Sequence, residues 1–299
     1  MLLTIFTPTY NRSYILPTLY ESLIAQKLYN FEWLIVDDGS TDNTRDLVNS
    51  WIKNAPFKIK YIFQENQGKH IAINTAVKEA QSELFFIVDS DDFLLEDATE
   101  IIALKYKKII NEKDVAGIAS SKGHINNDEK FTDDIKNDVI CFTSKINYEH
   151  KIAGEFAFVY KLEVLKQFPY PQFDGEKFCK ESLVYKKIAQ KYKMLFIPEV
   201  IYKAEYREDG LSANYWKLVL NNPKSSMLFY KLLSTYKIPL KHRLNALSQY
   251  WFFYLNQKEN RNLIKGFKGV SKTLSLFVLF QKAQKKLIHD FKKNLQQNK

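Results

Sequence analysis

The first half of the chain alternates strand-like and helix-like segments, and this alternation restricts it to few fold classes. Short apolar, β-rich runs lie at 2–8, 31–40, 57–64 and 83–89, and each is followed by apolar residues at helical spacing. Strands that are apolar along their whole length are typical of a parallel sheet covered by helices on both faces. The sequence therefore predicts an α/β fold with a mostly parallel sheet flanked by helices.

Carboxylates directly follow two of these predicted strands. Asp37 and Asp38 end the second strand, and Asp89, Asp91 and Asp92 end the fourth. Ligands of such sheets bind beyond the carboxyl ends of the strands, so we expect these acids to line one edge. Carboxylate oxygens suit a hard divalent cation, Mg²⁺ or Mn²⁺, that shares its shell with substrate phosphates. The alternative is a turn, because Asp and Ser are common in turns and before helices.

Other kinds of site lack their sequence signatures. There is no glycine fingerprint for a dinucleotide, and Gly68-Lys69-His70 lacks the preceding glycine and the Ser or Thr of a P-loop. The 5 His show no paired spacing, which argues against a zinc site. The 2 Cys have no metal-type spacing and fit a reduced, cytoplasmic setting. We expect no signal peptide, and no apolar run reaches the roughly 18 to 20 residues of a membrane span.

The net charge of +10 is distributed unevenly along the chain. Residues 215–299 contain 17 Lys and Arg against 2 acids, a net charge of +15, which leaves −5 for residues 1–214. Such a change in composition is typical of a domain boundary. We therefore expect a domain at 1–214 and a basic, aromatic-rich, helical region at 215–299.

Four segments taken together resemble the family 2 glycosyltransferases, which have the GT-A fold. They match the family in order and spacing: TIFTPTYNRSYILPTLYESLIAQ, FEWLIVDDGSTDNT, NQGKHIAINTAVKEA and LFFIVDSDDFL. Two later segments, GEKFCKESLVYKKIAQKYK and EYREDGLS, are similar to the acceptor half of bacterial surface-polysaccharide members. The resemblance implies a GT-A catalytic domain at 1–214, with a nucleotide-sugar-binding half at 1–122 and an acceptor half at 123–214.

The resemblance implies a role for each acid of the DSDD segment. Asp91 is expected to be the main ligand of Mn²⁺ or Mg²⁺, and Asp89 to face the ribose or the metal. Asp92 is expected either to assist the metal or to cap a helix that follows. The ion would carry a nucleotide diphosphate and offset the repulsion among the three carboxylates.

A further set of residues is expected to bind the nucleotide sugar. These are Pro8, Thr9, Tyr10, Asp38, Lys69, Asp89 and Glu155. In the family the residue matching Asp38 hydrogen-bonds the base, usually uracil, while Tyr10 would stack on it and Asp37 would hold the turn. The structural alternatives are a half-buried ring for Tyr10, a solvated lysine for Lys69 and a surface ion pair for Glu155.

Inverting transfer needs a general base that takes the proton of the acceptor hydroxyl. Aligning Lys187-Ile188-Ala189 with the end of the family's Glu-Asp helix places Glu181 at the catalytic acid. The chain departs from that pattern, because Lys180 replaces the first acid and Glu181 stands for Asp. Glu176 is the rival base, and both could be solvated acids at a helix start. Arg207 is a further candidate, to meet the diphosphate or gate the site.

The segment 258–297 mixes lysines with large apolar residues. The spacing predicts that one helical face carries an apolar stripe: Ile264, Phe267, Val270, Leu274, Phe277 and Val278. Past Phe280 the stripe is expected to rotate, which favours a bend or two helices. A basic amphipathic helix is typical of a membrane-surface element, and packing against the catalytic domain or a second subunit is the alternative.

The sequence thus favours an inverting, metal-dependent enzyme that moves a sugar from a nucleotide-diphosphate donor to a glycan or lipid-linked glycan. A UDP-sugar is the default donor. Its expected location is the cytoplasmic face of the membrane, and its oligomeric state stays open. A nucleotidyltransferase is disfavoured, because no glycine-rich basic loop follows the first strand. A non-catalytic polyanion or nucleic-acid binder would explain the basic region but not the acidic strand ends.

Overall fold

The structure is a computed structural model that describes residues 1–125, 129–133, 135–205, 207, 210, 214–256 and 263–297, without the side chains of 147, 148, 263 and 285–297. It divides into two compact units, Met1–Tyr215 and Trp216–Lys299. Each unit is described separately below.

One sheet organises the first unit. Its nine strands are β1 (Leu3–Thr9), β2 (Phe31–Asp37), β3 (Lys58–Phe63), β4 (Leu84–Ile87), β5 (Phe93–Leu94), β6 (Val115–His124), β7 (Val139–Cys141), β8 (Phe156–Lys161) and β9 (Lys193–Ala204). Their order is β3-β2-β1-β4-β8-β6-β9-β5, and β7 pairs with β9. The first four are parallel, β8 runs antiparallel to both β4 and β6, and β6 and β9 are parallel. The predicted mixed, mostly parallel α/β sheet is confirmed.

Helices cover the sheet between these strands. In the first unit they are α1 (Leu16–Ile24), α2 (Thr44–Ile52), α3 (Lys69–Glu79), α4 (Ala98–Tyr106), α5 (Thr143–Tyr148), α6 (Leu162–Leu165) and α7 (Ser182–Ile188). The apolar residues that predict α1 are those it buries, since Leu16, Leu19 and Leu23 recur at helical spacing and are fully buried. They pack on a core that includes Trp33 and Ile35 of β2.

One prediction about a helix start is wrong. Asp92 does not cap a helix, because β5 follows it and α4 begins only at Ala98. The short β5 pairs with β9 and not with a neighbour in sequence, which is why local patterns do not predict it.

The pairing of β6 with β9 is irregular. Ser120 lies opposite Ile197 but Ser121 lies opposite Val200, so β9 contains two extra residues at this point. The hydroxyl of Ser120 donates to the Glu199 carbonyl at 2.8 Å and accepts from the Ile201 amide at 3.3 Å. These bonds satisfy backbone groups that the ladder leaves unpaired, as at other bulges.

The polar stretch 126–138 is only partly the exposed loop that its composition predicts. Residues 126–128 and 134 lie outside the described residues. Thr132 forms a bridge with Gly154 and is buried, and Ile135 is buried as well.

The second unit is helical, as predicted from the sequence. Its helices are α8 (Tyr215–Asn221), α9 (Pro223–Thr235), α10 (Leu240–Leu255), α11 (Leu263–Gly266) and α12 (Lys272–Gln297), α8 beginning at the last residue of the first unit. Trp251 of α10 is fully buried and stacks edge-to-face on Phe267. No described helix of either unit combines the length and the apolar character needed to cross a membrane.

The predicted apolar stripe of 258–297 is wrong in its details. The break lies between α11 and α12, not near Phe280, and residues 257–262 lie outside the described part. Val278 is buried, whereas Phe277 is 48% exposed and Ile264 is 83% exposed, so they do not share a buried face. Neighbouring positions on a helix face different directions, and the prediction combined an inner and an outer face.

The outer face of α12 is apolar. Leu276, Phe277 and Phe280 are exposed there, while Ser275 and Val278 are buried on the opposite side. The Lys282 ammonium, also on the inner side, donates to the Ser248 carbonyl of α10 at 2.7 Å. Further apolar residues continue the outer spacing in the sequence, although their side chains lie outside the described part: Leu287, Ile288, Phe291 and Leu295.

Candidate active site

The carboxyl ends of β1, β2 and β4 meet at one edge of the sheet. Thr9, the last residue of β1, lies opposite Asp37, the last residue of β2, and the Asp38 amide donates to the Thr9 carbonyl at 2.8 Å. On the other side of β1, the Val88 amide donates to the Phe6 carbonyl at 2.9 Å, which places Asp89 at the same edge. The sheet register thus brings the acidic strand ends together.

Asp37 and Asp38 both hold loops. The Asp37 carboxylate accepts from the Ser40 amide at 2.7 Å and from the Tyr61 hydroxyl at 2.6 Å. The Asp38 carboxylate accepts from the backbone amides of Gln67 at 2.9 Å and Gly68 at 2.8 Å, and from the Gln64 side chain at 2.7 Å. Asp38 therefore fixes the start of α3, and its expected bond to a base stays a prediction.

The segment after β1 presents one aromatic ring. Pro8 and Thr9 are buried, whereas Tyr10 is 49% exposed. Asn11 adopts φ 53° and its side-chain oxygen accepts from the Thr41 amide at 2.8 Å, so this turn is tied to the loop after β2. The ring of Tyr10 is accessible for stacking, as its predicted role requires.

Lys69 connects the two halves of the predicted site. Its ammonium lies 2.6 Å from Asp89 Oδ1 and 2.6 Å from Glu181 Oε1. Burial would lower the pKa of Lys69, but the charges of Asp89 and Glu181 outweigh burial and raise it above its ordinary value. Burial likewise opposes the ionised form of Asp89, but Lys69, helped by Lys122, lowers the Asp89 pKa. Lys69 is therefore not a solvated lysine, and its role in nucleotide binding stays a prediction.

Glu181 lies immediately before α7 and has both carboxylate oxygens engaged. One faces Lys69, and the other accepts from the Tyr185 hydroxyl at 3.0 Å. The rival Glu176 is buried, at 9% exposure. Lys180, which stands where the family has an acid, is also buried, and burial lowers its pKa to about 8. Of the two candidate bases, Glu181 is the one ion-paired with the residue that contacts Asp89.

The three acids of the DSDD segment have different surroundings. Asp92 is buried and accepts a hydrogen bond from the Tyr202 hydroxyl, which itself accepts from the Asp89 amide at 3.3 Å. Burial, and then the charge of Asp89, raise the pKa of Asp91, and they raise that of Asp92 to about 7. In the described part of the chain, the Asp91 carboxylate makes no ion pair or hydrogen bond with another side chain.

This donor set fits a divalent cation at Asp91. Burial is the largest cause of the raised pKa values of Asp91 and Asp92, the charge of Asp89 is the second, and a bound cation would favour the ionised carboxylates against both. Nowhere in the described residues do three His, Cys, Asp or Glu side chains form a ready metal-binding group, because Asp89 turns to Lys69 and Asp92 to Tyr202. An ion held here would take most of its ligands from substrate and water, as Mg²⁺ commonly does.

Two predicted residues remain, Glu155 and Arg207. Glu155 is largely exposed, and its carboxylate lies 3.9 Å from the Lys122 ammonium, so the predicted alternative of a surface ion pair describes its present contact. Arg207 is described, but 206, 208, 209 and 211–213 beside it are outside the described residues. The roles proposed for both residues in donor binding stay predictions.

Sequence reasoning missed Tyr202 and Lys122 beside the DSDD segment, as well as Tyr185 beside Glu181. Tyr202 of β9 places its hydroxyl between Asp89 and Asp92, and Lys122 of β6 lies 4.7 Å from the centre of the Tyr202 ring. The contact of these two residues with the DSDD segment depends on the irregular pairing of β6 and β9. Local sequence carries no signal for that register.

The chain is similar to known glycosyltransferases. The family model described as Glycosyl transferase family 2 matches residues 4–156. The glycosyltransferase GlyA of Streptococcus pneumoniae is 27% identical over 264 residues, which is 83% of this chain and 37% of GlyA. The chondroitin synthase of Escherichia coli is 36% identical over 107 residues, 36% of this chain and 16% of that protein. The chain thus spans well under half the length of these relatives.

Solved structures share the architecture. S. aureus TarS 1-349 in complex with UDP-GlcNAc superposes with a TM-score of 0.66 at 19% identity, covering 92% of this chain and 83% of that one. The mannosyltransferase PcManGT of Pyrobaculum calidifontis, in complex with GDP-Man and Mn²⁺, gives a TM-score of 0.55 at 19% identity, covering 94% and 79%. At this identity the likeness establishes the fold, and the family match covers just over half of the sequence. This chain belongs to glycosyl transferase family 2.

Proposed function

We propose that the protein is an inverting, metal-dependent glycosyltransferase that moves a sugar from a UDP-sugar to a hydroxyl of a glycan or lipid-linked glycan in bacterial surface-polysaccharide synthesis. One observation carries the proposal: a single ammonium, that of Lys69, joins an acid at a strand end to an acid of the acceptor half. The two carboxylates are thereby held close to each other, where the donor edge meets the acceptor half.

On the donor side, the edge formed by β1, β2 and β4 supplies the binding groups. Tyr10 would stack on the base, with Pro8 and Thr9 behind it, and Asp38 fixes the start of α3 beside it. Asp91 would hold Mn²⁺ or Mg²⁺, with Asp89 and Asp92 close by. When bound, such an ion neutralises the charge that develops on the leaving diphosphate.

On the acceptor side, Glu181 would act as the base. Its carboxylate takes the proton of the acceptor hydroxyl while that oxygen bonds to the anomeric carbon and the bond to the diphosphate breaks. Attack from the face opposite the leaving group inverts the configuration. The Tyr185 hydroxyl, 3.0 Å from Glu181 Oε2, and Lys69 orient the carboxylate for this step.

A thermal-shift screen tests the donor site. UDP, UDP-GlcNAc and UDP-GlcA, each with and without Mn²⁺, are expected to raise Tm only when the metal is present. Asp91→Asn should abolish this shift and lower transfer by about a thousandfold, in line with the loss of electrostatic stabilisation at a reacting centre. Asp46→Asn, an exposed acid of α2, is the matched control. A normal metal-dependent shift in Asp91→Asn would overturn the metal assignment.

The proposal includes a peripheral membrane contact through 258–297. The exposed Leu276, Phe277 and Phe280 on the outer face of α12 support it, as does the net charge of +15 over 215–299. That charge repels a second copy of the same face but attracts anionic lipid, by about 1 kcal/mol per lysine near the surface. Co-sedimentation with phosphatidylglycerol vesicles should exceed that with phosphatidylcholine vesicles, and Phe277→Ser/Phe280→Ser should reduce it. Equal sedimentation of this variant would contradict the contact.

A further inference from the structure

The backbone around Lys69 is fixed from two directions. Gly68, the residue before it, has φ 96° and donates its amide to the Asp38 carboxylate at 2.8 Å. On the other side, a Cβ placed on Gly68 would lie 1.9 Å from the Lys177 carbonyl oxygen. The start of α3 is therefore packed between the end of β2 and the segment that leads to Glu181.

The side chain of Lys69 continues this connection. It is 19% exposed, and its two partners, Asp89 and Glu181, are 33% and 32% exposed, so water screens the three charges only partly. Both carboxylate oxygens lie 2.6 Å from the same nitrogen. They are thus within about 5 Å of each other, a distance at which two like charges disfavour their ionised forms unless a cation stands between them.

Helix α3 also anchors the acceptor segment by neutral contacts. The Asn74 side chain donates to the Tyr170 carbonyl at 2.9 Å and accepts from the Tyr170 amide at 2.8 Å. The Tyr170 hydroxyl in turn donates to the Glu181 carbonyl at 3.1 Å. The backbone of Glu181 is thereby held relative to α3, and the orientation of its carboxylate depends on Lys69 and Tyr185.

We propose that Lys69 is a positioning residue: its ammonium holds the Glu181 carboxylate beside the donor-side Asp89. In this role Lys69 is not a ligand of the nucleotide. This inference rests on the proposed function and replaces the nucleotide-binding role predicted for Lys69. The two roles predict different kinetic defects. Loss of a nucleotide contact raises KM for the donor, whereas loss of base positioning lowers kcat.

Lys69→Met is the decisive variant, because methionine keeps the length of the side chain without its charge. We expect kcat to fall at least thirtyfold, while the KM for the donor chosen by the screen and the Kd for UDP with Mn²⁺ change less than threefold. Lys69→Arg, which keeps the charge, should recover part of kcat. Lys78→Met, on the exposed end of the same helix, is the matched control. A tenfold weaker UDP affinity with unchanged kcat would overturn the inference.

A second measurement needs no turnover. In thermal unfolding, Lys69→Met leaves Asp89 and Glu181 facing each other without a cation, so it should lower Tm, and adding Glu181→Gln should restore part of the loss. Additive changes in Tm would show that the ion pair does not couple the two halves, and would overturn the inference. Failure of the wild-type protein to turn over any nucleotide sugar would instead overturn the proposed function.

Discussion

The donor edge and the acceptor segment of the first unit are held in place by different means. At the donor edge, the register of parallel strands fixes Thr9, Asp37 and Asp89 through backbone hydrogen bonds. The acceptor residue Glu181 lies before a seven-residue helix and is fixed by side chains of α3, about a hundred residues earlier in the chain. The donor edge thus forms with the sheet, whereas the acceptor side depends on a few long-range side-chain contacts.

This difference predicts how each region responds to mutation. Changes in α3 should loosen the acceptor segment without removing the acids at the donor edge, because the sheet holds those independently. Conversely, the donor edge should keep its affinity for UDP when the acceptor segment is displaced. Two variants below test this separation and a third tests the acceptor segment alone, in order of decreasing effect.

Gly68→Ala should have the largest effect. Alanine disfavours φ 96°, and its Cβ would meet the Lys177 carbonyl at 1.9 Å, so α3 and the acceptor segment must separate. We expect a loss of about 3 kcal/mol in the free energy of unfolding, measured by urea denaturation, from backbone strain and overpacking together. Transfer should fall further than the affinity for UDP.

Gly175→Ala is the matched control for this change. Gly175 also has a positive φ, 78°, but a Cβ there would meet nothing within 4 Å. Its cost should be the backbone strain alone, about 1 kcal/mol. Equal losses for the two variants would mean that the contact between Gly68 and Lys177 does not hold the halves together.

Asn74→Ala removes both side-chain bonds to the backbone of Tyr170. The amide and carbonyl of Tyr170 then lose their partners, and we expect a loss of about 2 kcal/mol in the free energy of unfolding. Because Tyr170 also contacts Glu181, kcat should fall while the Kd for UDP stays within threefold. Asn54→Ala, at the exposed end of α2, should change neither quantity. Weaker UDP binding with normal kcat in Asn74→Ala would contradict the separation.

Lys180→Met should have the smallest effect, and its sign should depend on pH. Burial holds the pKa of Lys180 near 8, below the value of about 10.4 for the unfolded chain. The charged form is therefore costly in the folded state below pH 8, and this cost disappears as pH rises toward 10.4. We expect Lys180→Met to raise Tm by about 2–4 °C at pH 7. At pH 10 the Tm of the variant should approach that of the wild type.

Lys187→Met, in α7, serves as the control for Lys180→Met, since Lys187 is a lysine of the same segment that is only partly buried. A lower Tm for Lys180→Met at both pH values would mean that contacts of the lysine, including the Tyr215 ring 5.0 Å from its nitrogen, outweigh the cost of burying its charge.

The same division between the two regions explains what the sequence could predict. The sheet, the first helices and the acidic edge depend on local apolar patterns and on the rule for parallel strands, so Asp37, Asp38 and Asp89 were placed correctly at one edge. The DSDD segment was less predictable. The predicted helix cap at Asp92 is wrong, its metal role stays a prediction, and the hydrogen bond it accepts comes from Tyr202, 110 residues later.

The ion pairs of Lys69 could not be predicted for a related reason. A lysine at the start of a helix is ordinarily a solvated residue, and no local pattern shows that Glu181 approaches it. The segment from Gly175 to Glu181 has little regular structure, and its path is set by contacts with α3. Sequence reasoning thus identified both acids but not the cation between them.

The two extra residues of β9 opposite Ser120 and Ser121 have a consequence for the evolution of this site. A further shift follows, because Ser121 lies opposite Val200 and Lys122 lies opposite Tyr202, so the irregular stretch extends up to Tyr202 itself. Deleting a residue between Ile197 and Tyr202 would change the pairing that brings the Tyr202 hydroxyl to Asp92. Changes of length in β9 are therefore expected to displace the phenol that supports the acidic turn.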